Sequence, residues 1–167
     1  MTRALLIAAS ALYISGCALR PLYSGGSSGV VATTLRAVQV APIDGQSGWL
    51  VRNKLVERLG NASDAGTARF RLEVELDDDI TSFGIRGDRA ATRERRTLRA
   101  RYRLVEISRG TVVLDATAGS DAGIDVVSSE YATVAAEQTA LERLAEAIAD
   151  QIAARLGLFA SRTAGSQ

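Results

Sequence analysis

The chain has no histidine, one cysteine, one lysine and two prolines. Without histidine, the commonest general base and the commonest metal ligand are both missing. Asp77, Asp78 and Asp79 are consecutive, so they cannot all face one site on a strand. No serine stands in a nucleophile-elbow pattern. An enzyme is therefore not expected, nor a metal or a cofactor. A lone thiol leaves no disulfide to form within the chain. Basic and acidic residues nearly cancel, 20 against 19, which gives no bulk attraction toward nucleic acid. Long apolar runs are scarce too. The only one, residues 4–14, is shorter than the roughly 20 residues that cross a bilayer.

That run accounts for the cysteine. Arg3 precedes it, Ser15 and Gly16 close it, and Cys17 follows at once, the order of a secretory signal ending in a bacterial lipobox. Residues 1–16 are expected to be the signal peptide and Cys17 the lipid attachment site. Two or more acyl chains on one residue hold a protein stably at a membrane, whereas one barely does. Ala18 stands where an aspartate is the usual signal for retention in the inner membrane, so the expected location is the periplasmic face of the outer membrane. Residues 17–29, with "SGGSSG" at 24–29, read as a lipidated N-terminus and flexible tether. Residues 30–159 are then one domain, and 160–167 a disordered tail.

Within the domain the patterning is clear in places. "TLRAVQVAP" at 34–42 predicts a strand. Trp49, Val51, Leu55, Val56 and Leu59 recur at helical spacing, with Ser47 as N-cap and Gly60-Asn61 as the stop. In "ARFRLEVEL" at 68–76, Phe70, Leu72, Val74 and Leu76 alternate with Arg69, Arg71, Glu73 and Glu75, the pattern of a half-buried strand. "TLRARYRLVEI" at 97–107 repeats it, with Leu98, Ala100, Tyr102 and Leu104 inward. After the turn "SRG", "TVVLDATA" at 111–118 predicts a third strand in a hairpin, and "GSDAGID" at 119–125 reads as a polar turn. From Tyr131 to Leu156 a stripe of Val134, Leu141, Leu144, Ala145, Ile148, Ile152 and Leu156 predicts a long amphipathic helix capped at Gly157. The expected fold is α+β: a two-layer sandwich in the order β-α-β-β-β-α, about four strands in an antiparallel or mixed sheet with two helices on one face.

Two features point to binding. Residues 86–109 hold nine arginines against Asp88, Glu94 and Glu106. On a strand, Arg99, Arg101 and Arg103 fall on the face opposite the core, a row suited to phosphate or carboxylate groups because the guanidinium fork binds them with two prongs. Glu73 and Glu75 on the neighbouring strand offer the plain alternative, cross-strand pairing. The second feature is the connection 77–96. It combines three aspartates, the apolar Ile80, Phe83 and Ile85, and a basic run of Arg86, Arg89, Arg93, Arg95 and Arg96. Twenty residues is long for a loop in a compact domain, so either the strands continue into a longer hairpin or a partner covers the apolar residues.

Three segments together carry a family likeness: "SGCALRPLY" at 15–23, "ATRERRTLRARYRLVE" at 91–106 and "SSEYATVAAEQTALERLAEAIADQI" at 128–152. In order and spacing the chain resembles the lipopolysaccharide-assembly lipoproteins of the LptE family, in their alphaproteobacterial form. The resemblance implies a two-layer domain of four strands and two helices, anchored in the outer membrane and inserted as a plug into the LptD β-barrel. There it would help the barrel to assemble and lipopolysaccharide to reach the outer leaflet. Arg86, Arg89, Arg93, Arg95, Arg96, Arg99, Arg101 and Arg103 would meet lipid A phosphates or acidic residues of the barrel lumen, with Phe83 and Ile85 against its wall. Two other readings fit the residues: an adaptor lipoprotein for another envelope complex, and a glycan-cleaving lipoprotein using paired carboxylates.

Overall fold

A computed structural model describes residues 29–60, 68–85 and 91–165. Its elements run α1 (Val30–Arg36), β1 (Val38–Val40), α2 (Gly45–Leu59), β2 (Phe70–Ile85), β3 (Ala91–Glu106), β4 (Thr111–Asp125) and α3 (Glu130–Gly165). The strands form one mixed sheet in the order β1-β2-β3-β4, with β1 parallel to β2 and the other pairs antiparallel. The fold is α+β with a four-stranded sheet, as its patterning indicates. It has three helices among the described residues where two were expected.

The extra helix is α1. A strand was expected from residue 34, but the chain is helical to Arg36 and extended only over Val38–Val40. Threonine disfavours helices because its hydroxyl competes for backbone groups. Here Thr33 Oγ1 and Thr34 Oγ1 donate back to the Gly29 and Val30 carbonyls, at 3.1 and 2.8 Å, and Leu35 is buried. Packing of α1 on α3 outweighs the local preference.

One core lies between the sheet and the helices. The alternation in β2 and β3 sends Phe70, Leu72, Val74, Leu98, Ala100, Tyr102 and Leu104 inward, to meet Val51, Leu55 and Leu59 of α2 and the α3 stripe from Leu141 to Leu156. The ends of that stripe differ from expectation. Val134 is exposed, and so is Trp49 on α2. The N-cap of α2 is Asp44 rather than Ser47, because the chain enters the helix at Gly45, while Gly60 stops it as expected with φ 83°. At the far end α3 does not stop at Gly157. It continues to Gly165, with Gly157 and Ala160 buried and Phe159 edge-on to Phe70 at 5.9 Å between ring centroids. A mid-helix glycine costs about 1 kcal/mol, which the partly buried Phe159 and the buried Ala160 offset. The tail from 160 is thus helical as far as Gly165.

The 77–96 connection follows the first of its two alternatives, the longer hairpin. β2 and β3 are each 16 residues long and stay paired from Phe70–Glu106 to Ile85–Ala91, so the strands continue into one long hairpin. β4 is likewise unbroken from Thr111 to Asp125, and the expected turn at 119–125 is strand. Strands of this length reach about 50 Å. The 36-residue α3 reaches about 54 Å and runs beside them, from Phe159 at Phe70 to Glu137 at Arg96.

Candidate functional site

The face of the sheet away from the helices is its charged side. On β3 the alternation places Arg93, Arg95, Thr97, Arg99, Arg101 and Arg103 there, one above the other. Register then sets what flanks them. On the β2 side Arg103 meets Glu75 at 3.1 Å and Glu73 at 3.6 Å, the cross-strand pairing considered above. On the β4 side Arg101 takes Asp115 with two prongs at 3.3 and 3.0 Å, Arg99 takes Asp121 at 3.0 and 3.2 Å, and Arg93 takes Asp125 at 3.1 Å. The row is a central positive stripe between two negative borders. The Arg101 guanidinium holds the Asp115 carboxyl below the usual carboxylate range. The Thr97 hydroxyl, at 2.8 Å, and Arg99 do the same for Asp121.

Asp115 lies in the strand expected at 111–118, whereas Asp121 and Asp125 escaped the sequence-based expectation because "GSDAGID" has the composition of a turn. Their spacing carried the signal: residues 115, 121 and 125 are separated by even numbers and so share one face of a continuous strand. Gly119 completes the arrangement. A Cβ there would sit 2.8 Å from Arg99 Cδ, so the glycine leaves room for the arginine to cross toward Asp121 and to donate to the Ser120 carbonyl at 3.1 Å. Above it lies an open depression of about 650 Å³, lined by Glu75, Asp77, Arg99, Arg101, Thr117 and Gly119.

The expected site residues divide into four groups. Arg93, Arg95, Arg99, Arg101 and Arg103 share the outer face with Phe83, over whose ring the Arg95 guanidinium lies at 5.6 Å. Arg96 belongs to the other face. It grips Asp78 with two bonds of 2.8 Å and donates to the Glu137 carbonyl of α3 at 3.2 Å, which ties the hairpin to the helix. Ile80, opposite Arg96 in the register, is on that inner side too, so Ile80 and Phe83 do not form one apolar patch. The Ile85 backbone pairs with Ala91. Cys17, Arg86 and Arg89 lie outside the described residues.

Most of the outer-face pairs are exposed, with side-chain accessibilities of 41–62% for Arg99, Arg101 and Arg103. Such pairs contribute about 0–1 kcal/mol each, so an incoming phosphate or carboxylate can replace an aspartate at small cost. Among the described residues no three Asp, Glu, Cys or His side chains are grouped to hold a metal ion. No described helix is long and apolar enough to cross a membrane.

A family model described as "LptE: Lipopolysaccharide-assembly" matches residues 35–156, from α1 through the buried part of α3. No curated protein matches the chain. Among solved structures, the chain is similar to one described as a lipoprotein from Caulobacter crescentus CB15, with 23% identity, a TM-score of 0.64, and coverage of 80% of this chain and 98% of that one. A minor lipoprotein from Acinetobacter baumannii follows with 13% identity and a TM-score of 0.57, covering 74% and 92%. Rare lipoprotein B from Shewanella oneidensis gives 10% and 0.53, covering 77% and 96%. At these identities the likeness is one of fold.

Proposed function

Because this chain belongs to the LptE family of lipopolysaccharide-assembly proteins, we propose that it plugs an LptD-like outer-membrane β-barrel, assists its assembly, and helps pass lipopolysaccharide to the outer leaflet. The family serves the cell envelope and is non-enzymatic. In this reading Cys17 carries the acyl chains that hold the protein to the periplasmic face of the outer membrane. Labelled palmitate should enter the full chain and not its Cys17→Ser variant; equal labelling of both would remove the anchor.

The arginine stripe of β3 supports the rest. Lipid A phosphates and acidic lumen residues are the kind of group that guanidinium forks bind, and exposed aspartate partners give way to them readily. Phe83, exposed near the hairpin end and stacked under Arg95, suits contact with an acyl chain or the barrel wall. Arg86 and Arg89, outside the described residues, are proposed to join the same contacts. Arg96 is set aside, since its fork is already occupied by Asp78 beneath the sheet. Changing Arg99, Arg101 and Arg103 together to serine should weaken both lipopolysaccharide binding and barrel capture, while circular dichroism stays that of the folded protein. Unchanged affinity for both ligands would refute the role of the stripe.

A further inference from the structure

β4 is an edge strand: among the described strands it pairs only with β3. Fifteen residues of free edge present a row of unpaired peptide groups, a template on which another strand can form. Two common defences are missing, since β4 contains no proline and no lysine. In their place one side chain reaches across from α3. Gly119 N–H donates to Gln151 Oε1 at 3.2 Å, and Gln151 Nε2 donates to the Gly119 carbonyl at 3.1 Å. A donor and an acceptor offered to the same residue is what an antiparallel neighbour provides at a hydrogen-bonded pair. The carboxamide thus stands where the peptide group of a fifth strand would stand.

We propose that Gln151 is a latch that keeps the β4 edge closed to a second copy of this chain. The occupant follows from the register. If two β4 strands pair antiparallel about a two-fold axis at Gly119, Asp121 lies opposite Thr117 and Asp115 opposite Gly123, so no acid faces an acid. On the inner side Ala118 meets Ser120, Ala116 meets Ala122 and Leu114 meets Ile124. The strand is self-complementary about the residue that Gln151 occupies. Ala147 and Ala154, one turn to either side of Gln151 on α3, are small enough to let two helices approach once the longer side chain is gone.

The test is sedimentation of the full chain in mild detergent. Gln151 is exposed, and alanine is the best helix former, so Gln151→Ala should fold. The native chain is expected to sediment as a monomer with respect to this edge, and Gln151→Ala to self-associate at least about tenfold more tightly. Gln151→Glu is a second variant: it keeps an acceptor for the Gly119 N–H but sets an oxygen against the Gly119 carbonyl, so it should shift the same way. Adding Thr117→Asp to either variant places acid opposite acid in the two-fold register and should restore the monomer. The proposal is overturned if the native chain already pairs through β4, if neither variant associates more than the native chain, or if the association survives Thr117→Asp.

Discussion

At the residue scale, the pairs of the charged face, and the Arg58–Asp150 pair between α2 and α3, have a strength that depends on pH. Asp115 is held below the usual carboxylate range by Arg101, Asp121 by Thr97 and Arg99, and Asp150 of α3 by Arg58 of α2. A carboxyl with a lowered folded pKa stabilises the protein above its unfolded value, about 3.9, and that contribution disappears as pH falls through the folded value. Urea midpoints should therefore be flat near neutrality and fall from about pH 4 downward. The triple variant Asp115→Asn, Asp121→Asn, Asp150→Asn should show a shallower fall; an identical pH profile would mean that these pairs do not contribute. The arginines of this face were legible in the sequence because a period of two needs only one strand to be recognised. Asp121 and Asp125 as partners were not, since their facing depends on β4 extending through a segment whose glycines, serine and aspartates favour turns.

At the element scale, the far half of the β2–β3 hairpin is tied to α3 through Arg96, which Asp78 holds in place. Arg96 and Asp78 are mostly buried, with side chains 13% and 19% exposed, and the same guanidinium reaches the Glu137 carbonyl. Removing one partner strands the other beneath the sheet. Asp78→Ala should cost about 1–3 kcal/mol in urea unfolding, and the double variant Asp78→Ala, Arg96→Met should cost less than Asp78→Ala alone. Equal costs for the single and double variants would show that the pair does not act as a unit. The hairpin strands were legible where apolar and charged residues alternate, from Phe70 to Leu76 and from Leu98 to Leu104. Beyond that the inner face becomes Asp78, Ile80, Glu94 and Arg96, and pattern alone cannot follow a strand that leaves its core. The same holds for α1, where the burial of Leu35 against other elements decides the conformation, and for the last turns of α3, which persist because Phe159 reaches Phe70.

At the scale of the whole molecule, one long helix and one long hairpin lie along each other, and the two faces of the sheet divide the work. One face holds the core. The other carries the arginines of β3 in exposed pairs with carboxylates, the arrangement that supports the proposed contact with anionic groups. Membership of the LptE family sets the chain in lipopolysaccharide assembly. The most direct test of the central claim is a mild-detergent pull-down of the full chain through a C-terminal tag from its own cell envelopes, with the retained proteins identified. The account predicts that a large outer-membrane β-barrel comes down with the tagged chain, and less of it with the Arg99, Arg101, Arg103 serine variant. A chain that migrates alone in every extract would contradict it.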